Sequence, residues 1–211
     1  EQLTRLGVGK LTIFDGQNFE GTNVNRLYGS RAKDEGMKKV DISERSINDI
    51  GIGTEIKKVD KNITYCSSAK ALRNCDIIFG CTDDEWGRSI LNKIALYYHI
   101  PVFDMGVRII SEDQIIQSIQ GRVTTLLHGN GCLGCRSRIS ARGVQSESLA
   151  ALDPDRHKEL VKQRYADELP GSAPSVIPFT TTIASIAVSE FIHRLTGFMG
   201  NQRESSEVIY F

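Results

Sequence analysis

At 211 residues the chain has the length of one domain, or of one domain with a long insertion, and its 40% hydrophobic content suffices for a sizeable core. Lys plus Arg and Asp plus Glu each number 26, so no overall field draws the protein to nucleic acid or to an anionic membrane, and any attraction for phosphate has to be local. Five cysteines are an odd number, no signal peptide is expected and no apolar run reaches membrane-spanning length, which together argue against a disulfide scaffold and for the cytoplasm.

In chain order, "EQLTRLGVGKLTIFD" reads as the end of a helix, a glycine break at Gly7 and Gly9, and a strand over 10–14. Asp15 closes that strand, where many α/β proteins hold a ribose. The phosphate-binding G-x-G-x-x-G that would precede it is absent from the residues in front. "DEGMKKVDISERSINDIG" sets Met37, Val40, Ile42, Ile47 and Ile50 at helical spacing, with Gly51 as a stop. "NITYC" predicts a short strand, and "DIIFGCTDD" a stronger one running into Asp83 and Asp84. "RSILNKIALYYH" then predicts a helix and "IPVFDMGV" a strand, the alternation of a parallel, doubly wound sheet. "IIQSIQGRVTTLL" suggests antiparallel pairing, and the polar stretch 137–175 one or two surface helices and a long loop. "TTTIASIAVSEFIHRLTGF" predicts a helix with Ile183, Ala184, Ala187, Val188, Phe191 and Leu195 on one face, capped by Gly197.

Four segments bring polar residues of useful kinds to the ends of elements. Asp15, with Thr22, Asn23 and Arg26 after it, suits a nucleotide site or simply a charged turn. Lys38 and Lys39 open a helix and suit phosphate contacts or a solvated face. Asp83 and Asp84 follow a buried strand, the ligand position of open α/β sheets, while helix capping by Thr82 or Asp83 explains the same residues. Cys132 and Cys135 in "HGNGCLGCRSR" form a C-x-x-C that reads as half a zinc site with His128 as a third ligand, as a redox pair, or as two free thiols. His99 reads as structural, and His157 and His193 as polar-face residues; no histidine has the nucleophile partner that covalent catalysis needs.

Together and in order, Asp15, Asn23 with Arg26, Gly36 to Lys39, Cys81-Thr82-Asp83 with Arg88, and Cys132 with Cys135 resemble the pattern of the ThiF/MoeB/HesA family, adenylyltransferases similar to ubiquitin-activating enzymes. "APSVIPFTTTIASIAVSEFIHRLTG" resembles that family's last core helix and the crossover before it. The resemblance implies one adenylation domain over 1–211: a Rossmann-like, mostly parallel α/β sheet flanked by helices, with an antiparallel extension and a crossover loop at 137–175. It implies that Asp15 holds the ATP ribose, that Arg26 and Lys39 contact the phosphates with Asn23 beside them, and that Asp83 ligates Mg²⁺. The reaction implied joins AMP to the C-terminal glycine carboxylate of a ubiquitin-like or sulfur-carrier protein and releases pyrophosphate, commonly in a homodimer.

The departures from the pattern carry expectations of their own. The family's first strand and glycine-rich loop would precede Glu1, so the chain is expected to be a fragment lacking the central strand between those ending at Asp15 and Cys81. A second C-x-x-C, completing a Zn²⁺ site with Cys132 and Cys135, is expected beyond Phe211. No cysteine lies between Arg136 and Ser175, which favours adenylation without a following thioester step, and Asp84 stands where the family has asparagine. The competing expectations are an NAD-dependent oxidoreductase, for which Asp15 serves equally well, and an inactive module that binds a ubiquitin-like partner.

Overall fold

The computed structural model describes residues 1–112, 115–169, 176–200 and 206–210. In chain order its elements are α1 (Gln2–Arg5), β1 (Lys10–Phe14), α2 (Lys39–Ile50), β2 (Glu55–Val59), α3 (Cys66–Leu72), β3 (Ile78–Gly80), α4 (Glu85–Tyr98), β4 (Val102–Glu112), β5 (Ile115–Leu126), α5 (Ala141–Leu152), α6 (Pro154–Lys162), α7 (Ile177–Thr196) and β6 (Glu207–Tyr210). They fall into two compact units, Glu1–Cys75 with Ser175–Phe198, and Asp76–Pro174 with Met199–Phe211. The fold is α/β and Rossmann-like, with parallel strand pairs, flanking helices and the expected antiparallel extension.

In the first unit β1 and β2 pair in parallel, from Lys10 opposite Glu55 to Phe14 opposite Val59, with α2 as the crossover. Val40, Ile42 and Ile47 of α2 are buried, and Gly51 ends the helix at φ 73°, a left-handed conformation that costs glycine nothing. The strand expected at "NITYC" is instead a turn followed by α3. Asn62 Oδ1 accepts from Thr64 N at 3.1 Å, and that local bond bends the chain before it can extend. The strand itself is Glu55–Val59, disguised by Lys57 and Lys58, the latter paired with Asp41 at 2.7 Å and Glu44 at 2.6 Å on α2. In α7 the buried side is Ile183, Ala187, Glu190 and His193, rotated from the expected face, so that Leu195 is 68% exposed. His193, expected on the polar side, is therefore a buried residue.

In the second unit β3 and β4 pair in parallel, and β4, β5 and β6 continue antiparallel. Val102, Phe103, Val123 and Leu126 are buried from the sheet, and Leu91, Ile94 and Ala95 from α4. The expected surface helices of 137–175 are α5 and α6, while 170–175 lie outside the described residues. His157 of α6, expected to be solvated, is buried and its Nε2 donates to Asp167 O at 3.1 Å. Among the described residues β1 and β3, the two strands expected to flank a central one, are each the edge of their own sheet. No helix of the described residues is long and apolar enough to cross a membrane.

Candidate functional site

The first unit gathers polar groups at the carboxyl ends of β1 and β2, the side of a parallel sheet on which α/β proteins bind ligands. Asp15 follows β1 directly, is half-buried, and its Oδ1 accepts from Gln17 N at 2.8 Å. Gln17 is tied to Lys39 twice. Its carbonyl accepts from Lys39 N at 3.1 Å, and its Oε1 accepts from Lys39 Nζ at 2.5 Å. An isolated antiparallel bridge joins Asn18 to Lys38 just beside these bonds. Asp15 and Lys39, 24 residues apart in sequence, therefore share one intermediary, which the sequence pattern did not reveal. A depression of about 340 Å³, within the range of small-molecule sites, opens beside them, lined by Gly16, Gln17, Asp60, Lys61, Asn62 and Tyr65.

Asn23 and Arg26 sit on the connection between β1 and α2. Asn23 is buried in a 3-10 turn, its Oδ1 accepting from Glu20 N at a long 3.4 Å, so its amide shapes the turn. Arg26 is half-buried, donates from Nη1 to Thr22 O at 3.1 Å, and has no carboxylate partner among the described residues. That leaves a guanidinium fork with most of its donors uncommitted. A pair that the sequence reading missed secures this connection to α2. Arg45 grips Asp34 through both terminal nitrogens, at 2.9 and 2.6 Å, and also donates to Gly29 O at 2.8 Å. The Asp34 side chain is 2% exposed, and the Arg45 guanidinium holds its carboxyl far below the usual range, at about 2. No short-range pattern flags Arg45, because its partner lies 11 residues away.

In the second unit Asp83 lies between β3 and α4. Capping falls to Asp84, not to Thr82 or Asp83: the Asp84 carboxylate accepts from Gly87 N, and α4 begins at Glu85. Asp83 is exposed, and among the described residues its carboxylate has no hydrogen-bond or ion-pair partner. As a free hard oxygen donor it suits Mg²⁺, which takes one or two protein carboxylates and keeps water and phosphate for its other positions. Arg88, one turn into α4, points elsewhere in the chemistry of the unit. Its Nε lies 3.4 Å from Asp104 Oδ1, and Arg122 Nη1 donates to Asp104 Oδ2 at 2.6 Å and to Thr124 Oγ1 at 2.8 Å. Thr124 Oγ1 donates in turn to Glu207, which Arg138 holds at 2.7 Å and keeps below the ordinary glutamate range. Burial pushes the Asp104 carboxyl up, and the two guanidinium groups oppose that shift.

Cys132 and Cys135 stand in a tight turn with their sulfurs 3.0 Å apart, and Cys132 Sγ accepts from Cys135 N at 3.2 Å. The Cys135 thiol and this N–H together hold the Cys132 thiol below its ordinary range. Among the described residues no group of three histidine, cysteine or carboxylate side chains is arranged to hold a metal, so His128 does not join the pair. His128 stacks instead on His99, ring centroids 4.3 Å apart. A tetrahedral structural zinc site takes four ligands, of which these two thiols supply half.

Parallel βα units with polar residues at the carboxyl ends of their strands define the doubly wound α/β proteins, a class rich in nucleotide binders. The chain belongs to the ThiF family, whose model matches residues 1–210. It is similar to ubiquitin-like modifier-activating enzyme 5 of Arabidopsis thaliana, 25% identical in an alignment of 167 positions that covers 71% of this chain and 37% of the relative. The enzyme of the same name from Branchiostoma floridae is 31% identical in an alignment of 163 positions that covers 71% of this chain and 38% of that one. The chain thus spans about two-fifths of the length of these relatives. Among solved structures, E. coli MccB with ATP superimposes with a TM-score of 0.70 at 14% identity, over 100% of this chain and 55% of the other. MccB, the microcin C7 biosynthetic enzyme, in complex with N-formylated MccA gives 0.72 at 15%, over 100% and 56%. At such identities the likeness concerns the fold.

Proposed function

We propose that this domain adenylates the C-terminal glycine carboxylate of a ubiquitin-like or sulfur-carrier protein, using ATP and releasing pyrophosphate. The observation that carries the reading is the array Asp15–Gln17–Lys39, whose Gln17 lines the 340 Å³ depression, in a chain of the ThiF family. Asp15 accepts from the ribose hydroxyls, and the depression past Gly16 takes the base, with Tyr65 at its wall. Lys39 and Arg26 bind the phosphates, and Asn23 holds the turn that presents Arg26.

In the reaction a carboxylate oxygen of the protein substrate bonds to the α-phosphorus as the bond to the pyrophosphate oxygen breaks. Two like unit charges 4 Å apart repel by about 4 kcal/mol at an effective dielectric near 20, and Lys39 and Arg26 offset that repulsion. Asp83 would hold Mg²⁺, and the ion would supply further neutralisation of phosphate charge. The nucleophile is already an anion, so no general base is required. Zinc at Cys132 and Cys135 is not part of this reading. Homodimer assembly in the cytoplasm is, and sedimentation of the full-length protein tests it.

Calorimetric titration with Mg-ATP and with NAD, on the natural sequence and on Asp83→Ala, separates the readings. Magnesium-dependent ATP binding lost in Asp83→Ala supports adenylation. NAD binding indifferent to Asp83 supports the oxidoreductase, and ATP binding without pyrophosphate exchange supports an inactive binding module.

A further inference from the structure

Lys38 precedes α2 and Lys39 is its first residue, yet the two charges are committed differently. Lys38 Nζ lies 3.4 Å from Asp60 Oδ1, so an acid that lines the depression already meets its charge. Lys39 Nζ donates to the neutral Gln17 Oε1 at 2.5 Å and makes no ion pair among the described residues. Asp15 makes none among them either, and its Oδ1 accepts from Gln17 N at 2.8 Å. Two opposite charges thus hang on one uncharged residue, and neither is cancelled. Gln17 is fixed by its backbone as well. Its carbonyl accepts from Lys39 N at 3.1 Å, and the neighbouring Asn18–Lys38 bridge sets the two segments in register.

We propose that Gln17 is a positioning residue, a neutral spacer that keeps Asp15 and Lys39 from pairing with each other and so leaves both charges for one nucleoside polyphosphate. The proposal rests on the nucleotide reading given above and adds to it the residue that sets the distance between the ribose end and the phosphate end. The amide oxygen orients the ammonium with one hydrogen bond and leaves two of its three N–H donors for phosphate. A carboxylate of the same length would keep that bond but cancel the charge, and charge-assisted bonds to phosphate depend on it. A side chain too short to reach Lys39 would release the ammonium to pair with Asp15, which would occupy the ribose acceptor as well.

The test uses the full-length protein and two readouts. In urea unfolding, Asp15→Asn and Lys39→Met are made singly and together, in the natural sequence and in Gln17→Ala. Their effects are expected to add in the natural sequence and to depart from additivity in Gln17→Ala, where the two charges meet. In calorimetry, Mg-ATP and adenosine are titrated into the natural sequence and Gln17→Glu. The variant is expected to bind Mg-ATP about tenfold more weakly and adenosine within about twofold of the natural sequence, because only the phosphates draw on Lys39. Effects of Asp15→Asn and Lys39→Met that already fail to add in the natural sequence overturn the proposal. So does a Gln17→Glu variant that weakens both ligands alike, as a merely structural role would, or weakens neither. A natural sequence that ignores Mg-ATP overturns the adenylation reading instead, and the unfolding cycle then decides the spacer alone.

Discussion

Arg122 Nη1 donates to Asp104 Oδ2 at 2.6 Å, diagonally across the β4–β5 ladder, where Asp104 stands opposite Thr124. Asp104 is 0% exposed and has Arg88 of α4 on its other oxygen, so one buried carboxylate balances two guanidinium groups. Buried ion pairs return little when compared with apolar replacements, but removing one partner strands the others without solvent. Asp104→Asn keeps the shape and deletes the charge. It is expected to cost about 3–5 kcal/mol in urea unfolding, mostly through the midpoint, with the slope unchanged. A loss below about 1 kcal/mol contradicts this account of the network.

The Asp34–Arg45 pair gives the first unit a defined acid sensitivity. The folded carboxyl is held at about 2 against an ordinary 3.8, so the native state binds its proton more weakly than the unfolded chain does. The stabilisation is complete above the ordinary value and drains away as pH falls from about 4 towards 2. Unfolding free energies of the natural sequence and of Asp34→Asn, measured from pH 7 to 2, are expected to differ by a constant amount above about pH 5 and to converge below it. A gap that persists unchanged at pH 2 contradicts the assignment.

Gly16 lines the depression beside Asp15. A Cβ there would stand 3.1 Å from Asn62 N and 3.3 Å from Lys61 Cα, and backbone atoms of this kind yield only by moving the chain. Gly16→Ala is expected to cost about 1–3 kcal/mol in stability, the usual penalty of overpacking. It is also expected to weaken nucleotide binding roughly tenfold, about 1.4 kcal/mol, in a calorimetric titration.

Leu133 anchors the turn that carries Cys132 and Cys135. Leu133→Ala opens a cavity beneath the loop and is expected to lower stability by about 2–5 kcal/mol. Cys135→Ser, at an exposed position, is expected to stay within about 0.5 kcal/mol of the natural sequence. Equal losses in the two variants would mean that the sulfurs shape the turn after all.

Much of this fold was legible because its signals are local. Gly51 and Gly197 end their helices in left-handed geometry as their positions after apolar periodicity suggest, and β1, β3 and β5 follow their apolar runs. Where the sequence misled, a longer-range partner decided. Lys57 and Lys58 hide β2 because acids on α2 take up the charge of Lys58, and a rotation of α7 buries His193 and exposes Leu195. The candidate site was half readable. Asp15, Arg26, Lys39 and Asp83 belong to ordered motifs, whereas Gln17, Arg45, Asp104 and Arg122 act through partners that no short pattern encodes.

The most direct test of the nucleotide site is Mg-ATP affinity, by calorimetry, of the natural sequence beside Arg26→Ala and Lys39→Ala, with circular dichroism to establish that each variant is folded. Among the described residues Arg26 has no carboxylate partner and the Lys39 side chain bonds to a neutral glutamine oxygen, so neither substitution breaks an ion pair described in the fold. Each is expected to weaken ATP binding about 10- to 100-fold, or roughly 1.4–2.8 kcal/mol, while leaving the folded signal intact. Folded variants that bind Mg-ATP as tightly as the natural sequence would contradict the placement of the phosphates at Lys39 and Arg26.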